Sequence, residues 1–167
     1  KALGFTREIL VSSRLEPFKD DYLGQQADKL HAHLYSHADY ILFWDSDVIA
    51  VRPFSPTDLM IDGKPRCLET PFSKIETPWQ PIVERALGHP VSKERMRQHP
   101  FLTHHMALVG LRAYMEKMHG ITLEDYIRTQ PLREMSEFNL LHSWAAHRAP
   151  DLFTFWDTEE RGVPEPF

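Results

Sequence analysis

Residues 40–54 read YILFWDSDVIAVRPF: five bulky apolar residues run into two aspartates one serine apart, and the chain then turns apolar again. A continuous apolar run of this kind is the pattern of a strand covered on both faces, as in a parallel sheet. Residues 8–12 (EILVS) are short, apolar and partly β-branched, which predicts another strand. Between them Leu23, Ala27, Leu30 and Leu34 recur at three- and four-residue steps, so residues 25–38 predict a helix with one apolar stripe. Strand, helix and strand within about 40 residues form a βαβ unit of an α/β fold.

The remainder keeps alternating. After Pro53 the FSPTDL stretch predicts a turn into a short helix, and residues 66–70 a further strand. Residues 77–88 predict a helix that starts at Thr77, carries Pro78 in its first turn and ends at Gly88. Residues 89–100 are polar and bounded by prolines, the composition of a surface excursion. FLTHHMALVG (101–110) reads as a strand, 111–120 as a short helix stopped by Gly120, 123–130 and 136–148 as two more helices, and 151–156 as a terminal strand. A chain of 167 residues holds one domain with a sizeable core and is short for two, so 1–167 is expected to be a single domain.

Several functional classes are disfavoured. A net charge of -5 offers no basic face for nucleic acid. No apolar stretch approaches the roughly 18 residues of a membrane span. The single cysteine, Cys67, rules out an intrachain disulfide, and Arg7 and Glu8 interrupt any signal-like apolar run. These features favour a cytoplasmic location.

The aspartates carry the chemistry. Ligands of parallel α/β sheets bind outside the carboxyl ends of the strands, where Asp45 and Asp47 stand. Two carboxylates so close repel each other unless a cation or hydrogen bonds compensate them. A hard divalent ion, Mg²⁺ or Mn²⁺, does so and keeps coordination positions open for phosphates. The plainer alternative is a solvated turn with Asp45 capping the next segment.

A strand ending in D-x-D resembles the metal motif of glycosyltransferases with the GT-A fold. More narrowly, GQQADKLHAHLYSHADYILFWDSDVIAVRPF resembles a bacterial-type GT-A-like family with a Gln-Gln-x-x-Lys helix, a Tyr-x-Leu-x-x-Asp-x-Asp strand and a following Arg-Pro-Phe. The later SEFNLLHSW is similar to that family's Ser-Glu-aromatic helix. The likeness is good over residues 22–54, fair over 134–147 and weak between; here a glycine directly precedes Gln25, a small departure.

The resemblance implies a Rossmann-like, mostly parallel sheet flanked by helices. It implies a metal-dependent transferase that moves a sugar from a UDP- or GDP-sugar to a hydroxyl of a carbohydrate or other acceptor. Asp45 and Asp47 would hold Mn²⁺ or Mg²⁺ on the diphosphate, with Asp45 and Ser46 nearer the ribose or sugar and Asp47 the more direct ligand. Lys29 would reach a phosphate as a point charge, and Gln25 and Gln26 would bond donor hydroxyls. Glu137 would take the acceptor's proton. His142 is the candidate third metal ligand, and His104 would touch the sugar or acceptor. Only about 20 residues precede the Lys29 helix, so the front of the domain is expected to be missing or shortened. Exposed sheet edges then need covering, for instance in a homo-oligomer.

Other residues read more plainly. On spacing alone, Lys29 is a solvent-facing helix lysine and Glu137 a first-turn glutamate favoured by the helix dipole. The ten histidines form no zinc-like constellation, and His104 and His105 would face opposite sides of a strand. Trp44 reads as core packing; Trp79, in a proline-flanked stretch, could stack on a sugar or base. Two other classes compete. A haloacid-dehalogenase-type phosphatase also ends a strand in D-x-D, but wants Thr or Val where Ile49 stands. A degenerate, non-catalytic GT-A-like module would keep the fold and bind without turnover.

Overall fold

The computed structural model describes residues 18–97 and 99–164, so the strand expected at residues 8–12 lies outside the described residues. The elements run α1 (Asp21–Leu30), β1 (Tyr40–Phe43), β2 (Met60–Ile61), β3 (Lys64–Pro71) and α2 (Trp79–Leu87). Then follow β4 (Lys93–Glu94), β5 (Phe101–His104), α3 (His105–His119), α4 (Leu123–Thr129), α5 (Glu137–Arg148), β6 (Thr154–Asp157) and α6 (Thr158–Arg161). The class is mixed α/β.

Local chemistry sets most boundaries. The Asp20 carboxylate accepts from the Tyr22 amide and starts α1, earlier than the apolar stripe indicated. Ser55 and Asp58 form a reciprocal capping box at the 3₁₀ turn Pro56–Leu59, the short helix expected after Pro53. α2 and α3 end where Gly88 and Gly120 adopt φ of 70°, a left-handed conformation that costs glycine little. Thr122 caps α4.

The sheets depart from the expected parallel array. β1 pairs antiparallel with β5, placing Tyr40 opposite His104 and Phe43 opposite Phe101. β3 sits between β2 and β4, both antiparallel, and pairs in parallel with β6, with Cys67 opposite Phe155. Among the described residues only this last pairing is parallel. β1 also alternates, Tyr40 and Leu42 being exposed and Ile41 and Phe43 half-buried, so its apolar run is not covered on both faces.

Two further expectations change. Residues 105–110 are helical, not a strand: the His104 side chain accepts from the Met106 amide and caps α3, so His104 and His105 do not share a strand. Residues 89–100 are no surface excursion, because Val91, Glu94 and Arg95 are buried and β4 joins the β3 sheet. Their polar groups are tolerated inside because β3 and α5 supply partners.

α5 is the axis of the core. Every residue from Glu137 to Ala145 is buried, and the helix packs against α1, α2 and α3. Gly110 makes one approach possible: a Cβ there would meet the Trp144 ring at 2.3 Å. A helix enclosed on all sides loses the two-faced pattern of a surface helix, and α5 accordingly buries Glu137, Asn139, His142 and Ser143 beside Phe138, Leu140 and Leu141.

Candidate functional site

α1 delivers Lys29 in its last turn, β1 ends one residue before the turn that holds Asp45, and α5 opens with Glu137. The Lys29 ammonium lies 2.9 Å from Asp45 Oδ1 and 3.0 Å from Glu137 Oε1, and it sits 5.2 Å from the centroid of the Phe138 ring. A long aliphatic stem lets its charge reach into a half-buried place. Gln26, one turn earlier on α1, is buried, and its Oε1 accepts the Glu137 amide at 3.1 Å. That amide is one of the first-turn donors a helix leaves free, so the glutamine fixes the start of α5 against α1.

The electrostatics are those of two carboxylates around one ammonium. Burial pushes the Glu137 carboxyl above its ordinary range, and Lys29 only partly offsets this. Burial alone would lower the Lys29 ammonium, yet Glu137 and Asp45 outweigh it and its pKa is raised. The Glu137 Oε2 atom is buried without a hydrogen-bond partner among the described residues. Tyr22 stands nearby, its hydroxyl donating to the Met135 carbonyl at 2.9 Å, and burial together with Glu137 pushes its pKa up to about 12.

Asp45 and Asp47 differ in setting. Asp45 is half-buried, and its Oδ2 lies 3.7 Å from His99 Nε2. Asp47 and Ser46 are exposed in the turn closed by the Val48 amide on the Asp45 carbonyl. Trp44 pins this turn and does not pack in the core as expected: it is 37% exposed, its indole donates to the Val48 carbonyl at 2.8 Å, and its ring stacks on Phe54.

The other expected residues lie elsewhere. Gln25 is exposed on α1. His104 pairs with Tyr40 at the opposite end of β1 from Asp45, five residues or some 16 Å of strand away. His142 is fully buried among Phe101, Phe138 and Phe153, its Nδ1 donating to the Arg95 carbonyl at 3.0 Å. Burial lowers its pKa to about 4. Among the described residues no three His, Cys, Asp or Glu side chains gather where they could hold a metal, so His142 does not complete a set with Asp45 and Asp47.

Sequence reasoning missed His99, Phe138, Tyr22 and the clamp of Trp44. The signal for His99 lies in strand register. With Phe43 opposite Phe101, two more steps along an antiparallel ladder bring Asp45 opposite His99. That step needs the pairing partner of β1, which a single sequence does not name.

A family model matches residues 19–162, a stretch that takes in all of these side chains. The chain belongs to the family of unknown function DUF6492. No curated protein and no solved structure matches it. What this member of DUF6492 offers chemically is therefore read from its own side chains: one ammonium, two carboxylates against it, a third carboxylate exposed two residues on, and a histidine at the edge.

Proposed function

We propose that this chain is a GT-A-like glycosyltransferase domain, dependent on a divalent metal, that moves a sugar from a UDP- or GDP-sugar to a hydroxyl acceptor. The observation that carries the reading is the convergence of Lys29, Asp45 and Glu137, drawn from three elements far apart in the chain. These are three of the residues that the GT-A resemblance implies, and packing for its own sake does not require two carboxylates on one half-buried ammonium.

The donor set fits a hard ion. Mg²⁺ and Mn²⁺ are commonly held by one or two carboxylates with substrate phosphates completing the shell, and Asp45 and Asp47 supply that number without His142. When bound, such an ion would screen charge growing on the leaving diphosphate. Lys29 would then turn its ammonium from Asp45 toward a phosphate oxygen. Glu137 would accept the acceptor hydroxyl's proton at Oε2, and a carboxyl raised by burial is the better base near neutral pH. The covering of β1 by a second copy belongs to the same proposal, and the β3–β6 pair is the parallel element that the described residues offer to a Rossmann-like sheet.

The test is calorimetric titration of the purified chain with UDP and with GDP, with and without Mn²⁺, repeated on an Asp45→Asn/Asp47→Asn variant. Metal-dependent binding that disappears in the variant supports the donor site and names the nucleotide. A folded chain that binds neither nucleotide overturns the reading. One observation favours a second one, a non-catalytic module: Lys29 is already engaged by both carboxylates, as in a structural ion triad. That module predicts no metal-dependent nucleotide binding at all.

A further inference from the structure

Trp79 opens α2 beside a cavity of about 250 Å³ whose walls include Pro78, Met96, Glu94, Arg97 and Glu76. Trp79 is half-buried and lines this space together with Pro78 and Met96. At the bottom lies a carboxylate out of water: the Glu94 side chain is 1% exposed. Its carboxylate accepts from the Asn139 amide at Oε1, 3.4 Å away, and from the Met96 backbone amide, while its Oε2 is buried with no hydrogen bond of good geometry among the described residues. Arg97 Nε stands 3.5 Å from that Oε2, close enough to pair charges without making a bond of good geometry, and the Arg97 side chain is 53% exposed. An orphaned carboxylate oxygen under a loosely held guanidinium is costly unless something else completes it.

We propose that this cavity binds a neutral, hydroxyl-rich ring, a monosaccharide unit, with one hydroxyl donating to Glu94 Oε2, another accepting from Arg97 and the ring's C–H face on Trp79. The charges select the class. A cation meets Arg97 at the mouth, and an anion meets Glu94 below and the exposed Glu76 at the rim. A hydroxyl both donates and accepts, so it satisfies carboxylate and guanidinium together. A flat aromatic wall suits the apolar face of a ring whose edges are polar. Arg97 is the cover: its half-exposed side chain swings aside or rotates onto the ligand as Oε2 becomes accessible.

The cavity also adjoins the Glu137 cluster. Met96 Sδ lies 3.0 Å from Ser136 Oγ, and Asn139 Nδ2, which donates to Glu94, donates to Ser136 Oγ at 3.0 Å. Ser136 immediately precedes Glu137, so both places rest on the first turn of α5. The sugar is thereby placed as a neighbour of the reacting acceptor, a role that rests on the transferase reading; the binding itself does not.

The experiment is an NMR titration of the ¹⁵N-labelled full chain with methyl glucoside, methyl galactoside and methyl mannoside, following the Trp79 indole N–H, assigned by its loss in Trp79→Phe. A saturable shift with at least one glycoside is expected, weakened about tenfold in Glu94→Gln, the loss of one hydrogen bond to a charged group. Because Glu94 is buried, Arg97→Gln at the surface serves as the second variant and is expected to weaken the same binding. Absence of any shift by a folded chain at tens of millimolar glycoside overturns the proposal. So does binding unaltered in both variants, or a shift produced by tetramethylammonium and not by the sugars. Asp47→Asn should leave the glycoside shift in place while abolishing Mn²⁺-dependent nucleotide binding, so the failure of one reading is separable from that of the other.

Discussion

The two polar clusters along α5 are built from similar residues and differ in how completely they are paired. Around Arg95 the donors have acceptors. Nε and Nη2 reach Glu69 Oε2 at 3.0 and 2.8 Å, and Nη1 reaches Ser143 Oγ and the Lys93 carbonyl. The Arg95 amide reaches Asn139 Oδ1 at 2.6 Å. Around Lys29 of α1, at the first turn of α5, Glu137 leaves an oxygen unpartnered and Asp45 meets solvent with 29% of its side chain. The Arg95 donors, met by acceptors, hold three elements in register and have nothing left to offer a ligand. An unsaturated cluster keeps hydrogen-bonding capacity and a perturbed carboxyl in reserve, which is what binding and proton transfer use.

Breaking the Arg95 cluster should have the largest effect. Arg95→Met strands the Glu69 carboxylate in a mostly buried place, and a loss of about 3–5 kcal/mol is expected in urea denaturation. A midpoint within error of the parent's would mean that the network contributes little.

His142, which hangs on the Arg95 carbonyl, gives the next effect through pH. Its folded pKa of about 4 lies below the ordinary imidazole value, so the unfolded chain binds the proton first. Stability from this group is therefore present above about pH 6.5 and is lost as pH falls toward 4, by roughly 3 kcal/mol for one buried ring. Glu137 and Glu94 act oppositely: their carboxyls are raised, so their contributions decline as pH climbs above the ordinary carboxylate range. His142→Phe should flatten the acid limb of stability against pH; an unchanged limb would assign it to other groups.

Lys29→Met sharpens the comparison at the unsaturated cluster. Without the ammonium Glu137 must stay protonated in the fold, so about 1–3 kcal/mol should be lost at pH 8 and much less at pH 5. Equal losses at both would show that packing of the side chain, not its charge, holds this place together.

Asp47→Asn should be the quietest in stability and the loudest in binding. The residue is exposed, so its midpoint should move by less than about 0.5 kcal/mol. Metal-dependent nucleotide binding should nonetheless vanish in calorimetry, and binding that survives would remove Asp47 from the site.

Much of the fold was legible locally. Gly88 and Gly120 stop their helices, the Ser55 turn caps itself, and the helix expected over residues 136–148 is α5. The site was legible in parts: Gln26, Lys29, Asp45 and Glu137 are drawn together, while Gln25, His104 and His142 are not. The failures share a cause. Residues 93–97 look like surface because they are charged, yet Arg95 is held inside by partners 44 and 26 residues away and Glu94 by one 45 residues away. Residues 105–110 look like a strand because they are apolar, yet a histidine cap turns them into helix.

The sequence by itself determined what depends on neighbours: turns, caps, helix spans and the charged end of an apolar strand, all set by interactions within about four residues. Tertiary structure alone decided that β1 pairs antiparallel with β5, that the Trp44 ring stacks on Phe54, and that His99 faces Asp45. It alone decided that an α1 lysine meets a glutamate 108 residues later. Such contacts follow from the mutual burial of whole faces, and the low dielectric left around Glu137 is a property of everything packed against it and of no single stretch of chain.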